Sequence, residues 1–147
     1  MHHLIRLAIV LCILSVNARA QTNLKPDPII NIPAAMKNCG ALYTYDSISL
    51  SRKKYILAVD MKNKGIISVG GKQIPLSLSA TRLVNKIINV TTYKGNGYTV
   101  ILSVKTDKQT TKYDTESGTA EIIKGKEKIL IKIHGQSGCN ESDQEGN

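Results

Sequence analysis

The chain has 147 residues, a formal charge of +9 from 20 Lys and Arg against 11 Asp and Glu, 41% hydrophobic residues, and neither Trp nor Phe. That length accommodates one ordinary domain and excludes two, and beyond the N-terminus no segment approaches the roughly 20 consecutive apolar residues of a spanning helix. The positive balance favours acidic partners, such as anionic head groups, polyanionic glycans or acidic proteins, unless the lysines serve only solubility and the protection of strand edges.

Residues 1–20 read as a secretory signal peptide: Arg6 closes a short positive region, an apolar run follows, and Ala18-Arg-Ala20 places small residues where a signal peptidase cuts. Cys12 is preceded by Ile9-Val-Leu11 rather than by the small residues of a lipoprotein signal. Removing the leader takes Arg6 and Arg19 and leaves a charge of +7 on the remaining chain. The exported chain then keeps two cysteines, Cys39 and Cys139, which in an oxidising compartment read as one disulfide. It would close a loop of about 100 residues, for which the chain-entropy model gives roughly 4–5 kcal/mol.

Pro26, Pro28 and Pro33 mark residues 21–38 as an extended arm, since proline resists both helix and central strand; Ile29, Ile30 and Ile32 would pin it to the body. Residues 41–50 suggest a first strand and residues 54–61 a second, with Tyr55, Leu57, Val59 and Met61 on one face. After a turn at Asn63-Lys-Gly65, residues 66–69 and 72–78 form a hairpin about Gly70-Gly71. Pro75 implies an edge or a bulge in its second strand. Leu83, Val84, Ile87 and Ile88 repeat at helical spacing, which predicts a short helical turn near Ala80, whereas residues 87–93 are β-branched and predict a strand running into the turn Lys94-Gly-Asn-Gly97. Tyr98, Val100, Leu102 and Val104 share one face of the clearest strand. Residues 106–117 read as a mobile polar loop. A last hairpin turns at Lys124-Gly-Lys126 and ends in Gly135-Gln-Ser-Gly-Cys139, where the disulfide would latch the two ends of the fold. Residues 140–147 are expected to be an acidic disordered tail.

The predicted class is all-β, a single antiparallel barrel or two-sheet sandwich of about eight strands over residues 39–139, with one short helix near Ala80. Ile, Leu, Val and Tyr must supply the core.

Catalytic parts are sparse. His134 is the one histidine after the leader, and Gly135-Gln-Ser-Gly138 lacks the Gly-x-Ser-x-Gly elbow, so His134 reads as an outward strand residue and the chain as non-enzymatic. Neither the scattered acids, Asp107, Asp114 and Glu116 among them, nor the cysteines form a metal set, and Gly70-Gly71-Lys72 is not followed by a phosphate-binding helix. No metal or cofactor is expected. Tyr43, Tyr45, Tyr93, Tyr98 and Tyr113 could stack bases, but export argues against a nucleic-acid partner. Asn89-Val-Thr91 and Asn140-Glu-Ser142 match the N-glycosylation pattern.

The Gln at the new N-terminus, the Val69-Gly-Gly-Lys-Gln-Ile-Pro-Leu76 hairpin and the closing Gly135-Gln-Ser-Gly-Cys139 resemble small uncharacterised exported β-rich proteins of Bacteroidetes-type bacteria. That resemblance implies a periplasmic or secreted address. Periplasmic inhibitors of C-type lysozyme are similar in size and layout, but their Ser-x-x-Gly-x-x-Tyr type motif is not reproduced by Ser77-Leu-Ser-Ala80 or Lys94-Gly-Asn-Gly-Tyr98, and basic lysozymes call for an acidic inhibitor. The leading expectation is an exported binding domain that recognises an anionic cell-envelope component or acidic protein through a lysine-rich face, with Lys105, Lys108, Lys112, Tyr113, Lys124, Lys126 and Lys128 as candidate contacts. A lysozyme-type hydrolase inhibitor is the alternative. A small-ligand carrier is third, and would be favoured by an open barrel mouth.

Overall fold

The computed structural model describes residues 23–139; the expected leader over 1–20 and acidic tail over 140–147 lie outside the described residues. Eight strands follow one another: β1 (Cys39–Thr44), β2 (Leu57–Asp60), β3 (Lys64–Val69), β4 (Lys72–Val84), β5 (Ile88–Gly95), β6 (Tyr98–Gln109), β7 (Asp114–Lys124) and β8 (Glu127–Cys139). Each pairs antiparallel with the next, and β1 pairs back onto β8, so the sheet is a closed barrel rather than a sandwich. Two short helices flank β1, α1 (Ala34–Asn38) and α2 (Ser47–Ser51). No helix among the described residues is long and apolar enough to cross a membrane.

Strand alternation explains the core. Tyr98, Val100, Leu102 and Val104 all point inward from β6, as their spacing predicts, and meet Ala120 and Ile122 of β7, Ile133 of β8, Tyr43 of β1 and Leu57 of β2. Alternation fails where a second layer covers the barrel. On β2 and β3 both faces are buried, because the arm lies across the outside and packs Ile29 and Met36 on Ala58 and Ile66. The arm is tied down by backbone bonds from Asp27 to the Ser68 carbonyl (2.8 Å) and from Ile29 to the Tyr55 carbonyl (2.7 Å). Its Leu24 enters the same cluster as the interior side chains, and Pro26 bridges Val69, so the arm stoppers one end of the barrel. Of the expected pinning residues, Ile30 is instead 84% exposed. The arm is also not wholly extended, since Pro33 serves as the N-cap of α1, a place where its missing N–H costs no helical bond.

Several expectations are corrected. The first strand stops at Thr44, because the Asp46 carboxylate accepts from the Ser49 N–H (2.6 Å) and starts α2; this is an N-cap, and it leaves Ile48 exposed. There is no helix near Ala80. β4 continues to Val84 and turns through Asn85 and Lys86, both at positive φ (51° and 61°), so Leu83 and Val84 lie across a hairpin from Asn89 and Ile88. The helical repeat there was two strands meeting at a tip. Residues 106–117 are not a loop either, since β6 and β7 pair up to Gln109↔Asp114 with one bulge, leaving only 110–113 as a turn. Backbone ladders need no apolar side chains, and the Tyr113 N–H donates to Thr110 Oγ1 (3.0 Å) to close that turn. Met61 is exposed in the β2–β3 turn rather than on the inward face.

Pro75 is neither at an edge nor at the β4 bulge, which falls between Leu78 and Ala80. The Leu78 N–H donates toward β3, to the Asn63 carbonyl, so alternation directs the Pro75 nitrogen toward β5. The β4–β5 ladder begins at Ser77↔Lys94, and the missing donor therefore falls just outside it.

Cys39 faces Cys139 across the β1–β8 ladder, and the two are bonded over a separation of 100 residues. Because this bond joins the first strand to the last, Cys139→Ser is expected to destabilise the barrel by about 2–4 kcal/mol. Thermal unfolding followed by circular dichroism should show a midpoint lower by roughly 10 °C or more; an unchanged midpoint would refute the seam's dependence on the bond.

Candidate functional site

The arm closes the end of the barrel that carries the Gly70-Gly71, Asn96-Gly97 and Gly125-Lys126 turns. The opposite end, ringed by the β2–β3, β4–β5 and β6–β7 turns, is open. Here the interior forms a cavity of about 700 Å³, with Val59, Leu102 and Val104 as apolar wall and Tyr43, Tyr93 and Glu116 as polar groups. An eight-stranded barrel is about wide enough either to fill with side chains or to hold one small ligand; in this chain the closed half is filled and the open half is not.

Register builds the polar centre. Tyr43 on β1 and Glu116 on β7 are both paired with Gly135 on the intervening β8. With no side chain at Gly135, the Tyr43 ring crosses β8 and its hydroxyl donates to Glu116 Oε2 (2.6 Å). A Cβ on Gly135 would strike the Tyr43 ring and lie 2.8 Å from the Leu42 carbonyl oxygen. Ser137, two residues along β8 on the same inward face, donates to Glu116 Oε1 (2.7 Å). Each carboxylate oxygen thus accepts one protein hydrogen bond and keeps a further acceptor site.

Tyr93 faces this pair from β5. Its side chain is only 6% exposed, yet its hydroxyl makes no hydrogen bond to another described residue. No buried side-chain oxygen among the described residues lacks a partner, so this hydroxyl opens onto the cavity it lines. Burial, followed by the Asp60 and Glu116 charges, raises the Tyr93 pKa. Tyr43 is raised well above the ordinary phenol range by burial first, then by the Glu116 charge and hydrogen bond. Both phenols are therefore neutral donors at neutral pH.

His134 and Ser137 cannot act together. Ile133 is 1% exposed inside the barrel, so alternation puts Ser137 inside and His134 outside. The candidate lysines divide into two groups. Lys105, Lys108, Lys112 and Tyr113 belong to the β6–β7 hairpin beside the mouth; Lys124, Lys126 and Lys128 belong to the β7–β8 hairpin at the closed end. The 11 residues of β7 separate them, roughly 30 Å at the rise of a strand. Lys105 pairs with Asp107 and Lys128 with Glu121, each at 3.4 Å, while Lys124 lies 4.6 Å from the Tyr98 ring centroid. Lys112 and Tyr113 line both the mouth and an outer groove of about 460 Å³ between the arm and β8. Asn89 also sits at the mouth, whereas Asn140 lies outside the described residues.

From the sequence, Glu116 falls in a polar loop and Ser137 in the glycine-flanked end of the last strand. Their joint position was readable only by carrying the inward alternation back from Ala120 to Glu116 and forward from Ile133 to Ser137. No protein-family model matches the chain, and no curated protein or solved structure matches it either.

Two outcomes follow from this packing. Gly135→Ala should cost about 1–3 kcal/mol by overpacking against the Tyr43 ring, with a loss of tyrosine near-ultraviolet dichroism; an unperturbed spectrum and midpoint would show that the ring does not need the gap. Burial and then the Asp27 charge push the Tyr45 pKa up to about 12. Tyr43, Tyr45 and Tyr93 all ionise more readily in the unfolded chain than in the barrel. Their contribution to stability is complete below about pH 10, the unfolded value, and declines as the pH rises through the folded values. Denaturant midpoints measured against pH should hold below about 10 and fall above it; a constant midpoint through about pH 12 would contradict the raised pKa values.

Proposed function

We propose that the chain is an exported, non-enzymatic binding protein whose barrel holds one small organic molecule in its mouth. The observation that carries this reading is the open cavity of about 700 Å³, in which an apolar wall surrounds a few convergent polar groups. Its polar centre is built by register, not by loose surface side chains, and the Tyr93 hydroxyl has no protein hydrogen bond among the described residues. The disulfide suits an oxidising compartment and supports export.

Nile red, a neutral apolar dye, tests the reading. One dye per chain should bind with enhanced fluorescence. Thr91 lines the cavity beside Leu102, so Thr91→Trp should fill the mouth and abolish binding without unfolding the barrel. Absence of dye binding, or binding indifferent to Thr91→Trp in a folded variant, would overturn it.

Recognition of an anionic envelope component is a second reading. It is supported by the outer groove, where Lys53 and Lys112 flank Met36, Leu42 and Tyr55 and no carboxylate lines the wall among the described residues. Binding to phosphatidylglycerol vesicles that weakens steeply with salt and is reduced by Lys112→Glu would support it; no binding at low salt would remove it.

A further inference from the structure

We propose that the molecule held in the barrel mouth is a protonated amine on an aromatic or other apolar body, with its ammonium seated between Glu116 and the Tyr93 hydroxyl. This inference rests on the small-ligand reading above and assigns that site a chemical class.

Three observations converge on it. First, the charge of the mouth is opposite to that of the chain. Asp60, Asp114 and Glu116 line the cavity against a single ammonium, Lys112, in a protein whose formal charge is +9. Asp60 is partly committed, since its Oδ1 accepts from the backbone N–H groups of Lys62 and Lys64 (2.8 Å each). Glu116 also accepts two bonds, but one on each oxygen, and it stands one inward position deeper along β7 than Asp114, the first residue of that strand; it is the carboxylate that faces Tyr93, and an anionic ligand would meet its repulsion.

Second, the hydrogen-bond inventory matches an ammonium. Each Glu116 oxygen keeps an acceptor site beyond its bond from Tyr43 or Ser137. The 6%-exposed Tyr93 opens its hydroxyl, unpaired among the described residues, onto the same space, and that oxygen can accept as well as donate. An ammonium offers three donors and no acceptor, so carboxylate and phenol oxygens can be satisfied together.

Third, the surroundings suit a cation with an apolar body. Tyr43 and Tyr93 present aromatic rings to the cavity, and ring faces attract ammonium groups. Val59, Leu102 and Val104 give the rest of the molecule an apolar wall. A carboxylate beside two tyrosines above an aliphatic wall would serve a sugar or a fatty acid poorly: the sugar would leave the wall unfilled, and the acid would face Glu116.

Competition against Nile red with three compounds of one skeleton tests the assignment: tryptamine, its neutral counterpart tryptophol, and anionic indolepropionate. Tryptamine should displace the dye about 10-fold more effectively than tryptophol, the scale of a hydrogen bond to a charged group, and indolepropionate should be weakest. Glu116→Gln should bring tryptamine down to the tryptophol level, both read against the variant's own Nile red affinity. Should Glu116→Gln fail to fold, Tyr93→Phe removes only the unpaired hydroxyl and should weaken tryptamine by about 3- to 10-fold with the unfolding midpoint retained. If Nile red binds but tryptamine shows no advantage over tryptophol, or keeps its advantage in a folded Glu116→Gln variant, the amine assignment is overturned and the carrier reading stands. If neither Nile red nor any of the three compounds binds, both are overturned.

Discussion

The ladder between β1 and β8 removes both edges of the sheet at once, and the rest of the molecule depends on that closure. An open sheet with these strands would expose unpaired N–H and C=O groups along its first and last members. Closure instead converts the inward residues of every strand into one lining. It also sets the register that brings Tyr43 onto Gly135 and Gly135 beside Glu116. The disulfide stands at the end of this ladder where the mouth opens, so the covalent latch and the entrance to the cavity share one rim.

Most of the architecture was legible because strand alternation is local. Val100, Leu102 and Val104 announce a buried face without reference to any partner, and Gly70-Gly71 announces a hairpin through backbone conformations that glycine adopts freely. What was not legible depends on neighbours. The apparent helix at Leu83, Val84, Ile87 and Ile88 could be recognised as a hairpin tip only from the pairing of Val84 with Ile88. The polar stretch after Val104 remains a strand because β7 supplies hydrogen bonds, and its composition says nothing about that. The candidate site is the extreme case: Tyr43, Glu116 and Ser137 come from three strands, and no single-strand pattern relates them.

Net charge is likewise silent about the mouth. Apart from Lys112 at the rim of the mouth, the candidate lysines lie away from the cavity, at hairpins on opposite ends of the barrel, and are partly paired with carboxylates or set against an aromatic ring. The mouth carries the reverse sign. In a closed barrel the inner and outer surfaces are composed independently, because successive residues of each strand go to opposite sides. A formal charge for the whole chain therefore reports the shell facing water and says little about the chamber.

The arm and the seam also give the barrel a polarity. Leu24 is buried at the stoppered end, whereas Cys139 lies at the rim of the cavity. The chain thus enters the domain at the base and leaves it at the lip. A tether joined on the Leu24 side would hold the domain by its base, and one joined on the Cys139 side would hold it by its lip. Immobilisation by one side or the other would present the barrel to its surroundings as an upright cup or an inverted one.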